Sequence, residues 1–144
     1  MNTMAERIID ATDMILGRVA TYAAKMALNG DTVNVVNCDK ARITGMRPVI
    51  LEDQLHMRER GNIRQGPYVF KNSDAYLRRV IRGMLPHKFD RGRRALARVK
   101  CFTGMPEAFK TKPAESFEDC HIKKVKSTKS MSLSEVSVAV GGSR

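Results

Sequence analysis

The spacing of apolar residues changes twice within the first 37 positions of the chain. Ile8 and Ile9, set between Arg7 and Asp10, predict a short strand after a polar start. Ile15, Leu16, Val19, Ala20, Ala23, Met26 and Ala27 then recur at intervals of three and four, with Arg18 and Lys25 on another face, so an amphipathic helix follows. Thr12 or Asp13 is placed to cap that helix, and Asn29-Gly30-Asp31 to end it. Residues 32–37, TVNVVN, are β-branched and apolar, the composition of a strand buried on both faces. Strand, helix and strand in so short a run predict a βαβ unit with parallel strands and a right-handed crossover.

Beyond it the pattern becomes patchier. Residues 41–45 read as a short strand or as the lead into the next helix. Pro48 suits a first helical position, and PVILEDQLHMRER continues that helix to Gly61. GNIRQGPYVF, with two glycines and a proline, predicts a loop, part of it extended. Ser73 or Asn72 caps a helix over DAYLRRVIRGML, closed by Pro86. A further helix is expected over 91–99 and a last strand over 99–102, broken by Gly104-Met105-Pro106. From about 123 the pattern loosens. KKVKSTKS over 123–130 reads as a solvated loop; Ser132-x-x-Glu135 is a capping box for a short helix to Gly141-Gly142, although alternating Val136, Val138 and Val140 also suit a strand. At 144 residues and 42% apolar content, residues 1–144 are expected to form a single domain with its own core and a loosely patterned tail.

Charge changes the picture most. The chain carries 26 basic and 15 acidic side chains, net +11. Residues 58–100 hold 13 basic and 3 acidic groups, so nearly the whole excess lies in the middle third. A small domain this cationic points to a polyanionic partner. On the helix after Ser73, Leu77, Val80, Ile81, Met84 and Leu85 form one apolar stripe, while Arg78, Arg79 and Arg82 lie off it. Gly83 costs this helix about 1 kcal/mol relative to alanine, and a close backbone approach to protein or phosphate is a reason to keep it. After Pro86, Lys88 and Arg91 lead to Arg93, Arg94 and Arg98, with Ala95, Leu96 and Val99 on the apolar side and Gly92 as a flexible joint. Two such helices would converge their arginines on one region, where guanidinium forks suit phosphates. Internal pairing needs acids at i±3 or i±4. Asp74 reaches Arg78 and Asp90 reaches Arg93 or Arg94, but the other arginines have no such neighbour. Arg64 and Lys71 flank Tyr68 and Phe70, which could stack on unpaired bases; burial against the sheet is the expected fate of the two rings. Lys40 and Arg42, after the second strand, are candidates for the same surface.

Other chemistries find less support. The turn after the first strand, DATDMILGR, has one glycine where a dinucleotide fingerprint needs three, and Asp10 and Asp13 would face a phosphate with like charge. Asp39 follows the second strand, but capping or solvation explains all three carboxylates. There is no P-loop, no G-x-S-x-G elbow, and no i,i+4 pairing among His56, His87 and His121. Cys38, Cys101 and Cys120 are odd in number and lack a CxxC pair, so buried free thiols are expected rather than disulfides or a zinc module, and adjacent Cys120-His121 chelate one metal poorly. No apolar run approaches a membrane span and no signal segment opens the chain, which predicts a soluble intracellular protein.

The residues then resemble a known family. GPYVFKNSDAYLRRVIRGMLPHKFDRGRRALARVKCFTGMP is similar to the signature region of large-subunit ribosomal protein thirteen, with VIRGMLPHK and RGRRAL its most specific parts. ATDMILGRVATYAAK and GDTVNVVNCDKARITG resemble the family's first βαβ unit, and the likeness, of the archaeal type, spans residues 6–142. Asn72-Ser73 departs from the arginine- or proline-containing variant expected there. The resemblance implies an α/β fold: a three-layer α/β/α sandwich around a four-stranded, mostly parallel sheet. It implies a structural, non-catalytic protein of the cytoplasmic ribosome that binds large-subunit ribosomal RNA beside neighbouring ribosomal proteins, with no cofactor, metal, membrane or small-molecule substrate. Arg82 and Gly83 carry over by direct motif match, followed by Arg91, Arg93 and Arg94. A free regulatory RNA- or DNA-binding protein and an α/β enzyme for a phosphorylated substrate are the alternatives.

Overall fold

The computed structural model describes residues 5–126 and 129–142. In chain order its elements are β1 (Glu6–Asp10), α1 (Leu16–Asn29), β2 (Thr32–Val36), β3 (Arg42–Thr44), α2 (Arg47–Glu59), α3 (Ser73–Met84), α4 (Asp90–Ala97), β4 (Val99–Cys101), α5 (Glu107–Lys110), β5 (Ser130–Ser132) and α6 (Leu133–Ala139). Single 3-10 turns lie at Cys38–Lys40, Glu118–Cys120 and Ile122–Lys124.

The βαβ unit forms as expected. β1 and β2 pair in parallel from Glu6 opposite Thr32 to Asp10 opposite Val36. β2 is buried on both faces from Val33 to Val36, because β1 and β4 flank it and helices cover it. The one polar residue of that buried span, Asn34, donates from Nδ2 to Glu6 Oε1 at 3.1 Å. Helix α1 buries Leu16, Val19, Ala20, Ala23, Ala24 and Ala27. Its start is not the expected one. Thr12 Oγ1 donates to Asp10 Oδ1 at 2.6 Å, Asp13 adopts φ 53°, and the helix begins after Ile15 without a side-chain cap. The polar residues after β1 are spent on closing the turn (an Asx-type bond from the Thr12 N–H to Asp10 at 3.0 Å) rather than on the helix. At the far end Gly30, with φ 109°, lets its own N–H and that of Asp31 reach the Ala27 and Met26 carbonyls.

The sheet is smaller than the resemblance implies. Three parallel strands run in the order β1-β2-β4, and a separate antiparallel pair joins β3 to β5, with Ile43 opposite Met131. Beside β1, among the described residues, Glu115 alone bridges: Asp10 N–H donates to its carbonyl at 3.1 Å and its N–H donates to the Ile8 carbonyl at 2.7 Å. Pro113, two positions before, has no N–H to extend such a ladder. β5 also means that β4 is not the last strand. Ser130 and Ser132 give β5 no apolar signature, and only Met131 anchors it.

Further along, helix α4 ends at Ala97, and Val99 opens β4 instead of closing the helix. The tail resolves in favour of the capping box: Ser132 Oγ accepts from the Glu135 N–H at 3.4 Å, and Val136 and Val138 lie on α6. Of the loop expected over 123–130, residues 127 and 128 lie outside the described residues. The main core joins α1, β1, β2, α3 and α4 through Ile9, Val19, Val33, Val35, Leu77, Ile81 and Ala95. A smaller cluster of Ile50, Met131 and Val136 ties α2 to α6.

Candidate functional site

Helix α3 is fastened by a narrow stripe. Leu77 and Ile81 are fully buried and Leu85 nearly so, whereas Val80 is half-buried and Met84 is 43% exposed. The stripe predicted from spacing therefore holds at its centre and opens at Met84, whose sulfur accepts from Thr21 Oγ1 on α1. Arg78, Arg79 and Arg82 stand exposed on the remaining surface. Gly83 is also exposed, and a Cβ built there would meet nothing within 4 Å. Among the described residues no atom of this chain explains the glycine, so a close approach within its own fold is not the reason for it.

Gly92 is the reverse case. It is buried inside α4, and a Cβ there would lie 2.1 Å from the Pro86 carbonyl oxygen. It is therefore not a flexible joint. The backbone of the RGMLP turn and the first turn of α4 touch, and only glycine permits that approach. The contact fixes the elbow between the two helices. The Arg93 N–H donates to the Phe89 carbonyl at 3.1 Å as α4 begins.

This elbow divides the arginines between two grooves rather than gathering them on one wall. Arg78, Arg79, Arg82 and Lys100 line a groove of about 630 Å³ between α3 and the α4–β4 junction, with Phe70 and Phe102. Arg91, Arg94 and Arg98 line a second, of about 430 Å³, beside Asn29 and Gly30 at the end of α1. Arg98 is the least available of these side chains. It is half-buried and its Nη1 donates to the Ala27 carbonyl at 3.3 Å, where a cation also offsets the negative end of the α1 dipole. Arg78 donates to the Leu96 carbonyl at 3.4 Å and, among the described residues, makes no ion pair with Asp74. Arg93 is paired with Asp90 at 3.6 Å and also donates to the Lys88 carbonyl, while Lys88 is itself exposed in the turn.

The outlying candidates sit elsewhere. Lys40 is exposed on the 3-10 turn after β2, and Arg42 is half-buried with its Nε 3.2 Å from Asp13 Oδ1. Neither lines the two arginine grooves. Arg64 lies in the turn closed between Asn62 and Gly66, where its carbonyl accepts from the Tyr68 hydroxyl at 2.9 Å. Lys71 is exposed, and its carbonyl is held by Ser137 Oγ at 2.6 Å. Tyr68 and Phe70 are 69% and 51% exposed, against the expectation of burial. Instead the Arg79 guanidinium lies over the Phe70 ring, 5.8 Å from its centre. Lys100 was visible in the sequence only as one more cation; its alternation within β4 turns it outward into the first groove.

The carboxylates that invite an enzyme reading are engaged structurally. Asp10 accepts from Thr12 and from Asn37 Nδ2 at 3.0 Å; although burial opposes it, these bonds hold its carboxyl below the ordinary range. Asp39 accepts from the Gly104 N–H at 3.0 Å. The three cysteines are free, with Cys38 and Cys120 buried and Cys101 half-buried. The neighbouring Cys101 thiol, together with burial, pushes the Cys38 thiol far up, and burial raises Cys120, so neither supplies a thiolate at neutral pH. Among the described residues no group of three or more His, Cys, Asp or Glu could hold a metal, and no helix is long and apolar enough to cross a membrane.

The chain is similar to known proteins over most of its length. Residues 5–108 match the family model described as Ribosomal protein L13. The chain is 42% identical to the large ribosomal subunit protein uL13 of Methanosarcina barkeri, over 93% of this chain and 96% of that protein. It is 40% identical to the protein of that name from Archaeoglobus fulgidus, over 93% of this chain and 86% of the relative. For the Natronomonas pharaonis protein the identity is 41% over 95% and 92%.

Proposed function

The chain belongs to the ribosomal protein L13 family, a family of structural components rather than enzymes, and from that premise we propose that it is a constituent of the large ribosomal subunit that binds its RNA through α3 and α4. In this role it supports subunit assembly and translation in the cytoplasm, beside neighbouring large-subunit proteins, with no small-molecule substrate. The same reading takes residues 1–144 as a single RNA-binding domain of the three-layer α/β/α kind, with the Glu115 bridge at the place of a fourth strand.

One observation carries the proposal. Of the nine basic side chains from Arg78 to Lys100, eight are exposed, and among the described residues only Arg93 is paired with an acid. So many uncompensated cations repel one another, and condensed anions relieve the repulsion. An RNA backbone does so best, because binding releases its own counterions to solution. Arg82, Gly83, Arg91 and Arg94 bear on that surface most directly. Arg78, Arg79, Arg93 and Arg98 contribute from sites already held by a carbonyl, a ring or an acid, and Lys88 from the exposed turn between the helices. Lys40, Arg42, Arg64 and Lys71 extend the contact over a wider footprint.

The test is binding to protein-free large-subunit RNA across a salt series. If about 6–10 phosphates are contacted, affinity falls about 10³–10⁵-fold between 50 and 200 mM salt. Replacing Arg82, Arg93 and Arg94 together with glutamine lowers the slope of log K against log salt by about 3 and leaves thermal unfolding nearly unchanged. A flat salt response, or a triple variant that unfolds, overturns the reading. Co-sedimentation with large subunits separates a resident of the ribosome from a free regulatory nucleic-acid binder.

A further inference from the structure

We infer that the groove between α3 and β4 takes one unpaired nucleotide of the RNA, its base against Phe70 and its phosphates on the arginine rim. This deepens the RNA-binding reading above and rests on it.

Three features of the groove point the same way. It is an open groove of about 630 Å³, room enough for one nucleotide, whereas a duplex backbone needs no such recess. Its walls combine apolar surface from Phe70, Leu96 and Phe102 with the cations Arg79, Arg82 and Lys100, against a single carboxylate, Asp74. An apolar wall contributes little to a phosphate but much to a base removed from its stack. Finally, Phe70 is half exposed with the Arg79 guanidinium 5.8 Å from its ring centre. A planar cation laid over a half-exposed planar ring gives a base a ring or a guanidinium to stack on at one point. Asp74, the one acid of the groove, makes no ion pair with Arg79 or Arg82 among the described residues, so four cations outweigh one carboxylate there. Gly83 leaves the end of α3 without a side chain, so a ribose-phosphate can pass close to its backbone.

The probes are oligouridylate and a fully paired RNA duplex with the same number of phosphates, compared at one salt concentration. Phe70→Ala is expected to weaken binding of oligouridylate about 5- to 150-fold and to leave duplex binding within about twofold. Phe70→Tyr restores the oligouridylate affinity, since its ring stacks as well. The salt slope on oligouridylate stays that of the wild type in Phe70→Ala, because no charge is lost, whereas Arg82→Gln lowers it by about 0.7. Equal losses on both probes, or none on oligouridylate, overturn the nucleotide site while leaving RNA binding intact. Failure of the wild type to bind either probe with a salt-dependent affinity overturns the RNA-binding reading itself. Cooperative thermal unfolding of Phe70→Ala confirms that the half-exposed ring is not holding the fold.

Discussion

Helix α1 buries six side chains, four of them alanines, whereas α3, which packs against it, buries three: Ser73, Leu77 and Ile81. The first helix gives nearly half its surface to the core and presents scattered polar residues outward. The second is held by two aliphatic side chains on successive turns and exposes three arginines. Both are amphipathic, yet the width of the apolar stripe decides their use. A broad stripe of small residues makes a structural helix that sits close to its neighbours, while a narrow one of large residues makes a rigid mount for charge.

The sharpest test of that contrast is Leu77→Ala. A cavity at so narrow an attachment is expected to cost about 2–5 kcal/mol in urea unfolding. Arg79→Gln, one face around, should stay within about 0.5 kcal/mol. An equal loss in the two variants would mean that the arginines hold the fold together. Next come the two glycines of the elbow. Gly92→Ala sets a methyl against the Pro86 carbonyl and should destabilise by about 1–3 kcal/mol. Gly83→Ala meets open space and should stabilise by about 0.4–1 kcal/mol. Opposite signs in thermal unfolding confirm that one glycine serves packing and the other does not.

The smallest expected effect is the pH dependence of the α1 side. Asp10, below α1, has its carboxyl held under the ordinary value of about 3.9 by Thr12 and Asn37. Its stabilisation is therefore full above that pH and is lost as pH falls through the lowered folded value. The stability gap between wild type and Asp10→Asn should be widest at neutral pH and shrink in acid. Arginine does not titrate over this range, so Arg79→Gln should show no such trend.

The sequence made the βαβ unit legible because its signals are local. Val19, Ala20, Ala23 and Ala27 repeat at helical spacing, and residues 32–36 have no competing pattern. The elements that escaped are those fixed by something distant in the chain. Ser130 and Ser132 become a strand only because β3 offers them carbonyls and amides, and Glu115 becomes a bridge only because β1 lies open. Phe70 was expected against the sheet, and only the folded loop shows half of its surface exposed. The basic character of residues 78–100 was plain from composition. Its division into two grooves was not, because that depends on the backbone contact between Gly92 and Pro86, which no charge pattern encodes.

The Glu115 bridge has a consequence for the molecule before any RNA reaches it. A parallel sheet of three strands ordinarily ends in rows of free amides and carbonyls, which can template a strand from another copy and start aggregation. Here the outward amide of Asp10 and the outward carbonyl of Ile8 are already taken, and the ion pairs Arg7–Glu115 at 2.8 Å and Glu6–Lys112 at 2.6 Å place charge along that edge. A newly made chain thus meets its siblings with that sheet edge closed, and cationic repulsion keeps them further apart until the anion arrives.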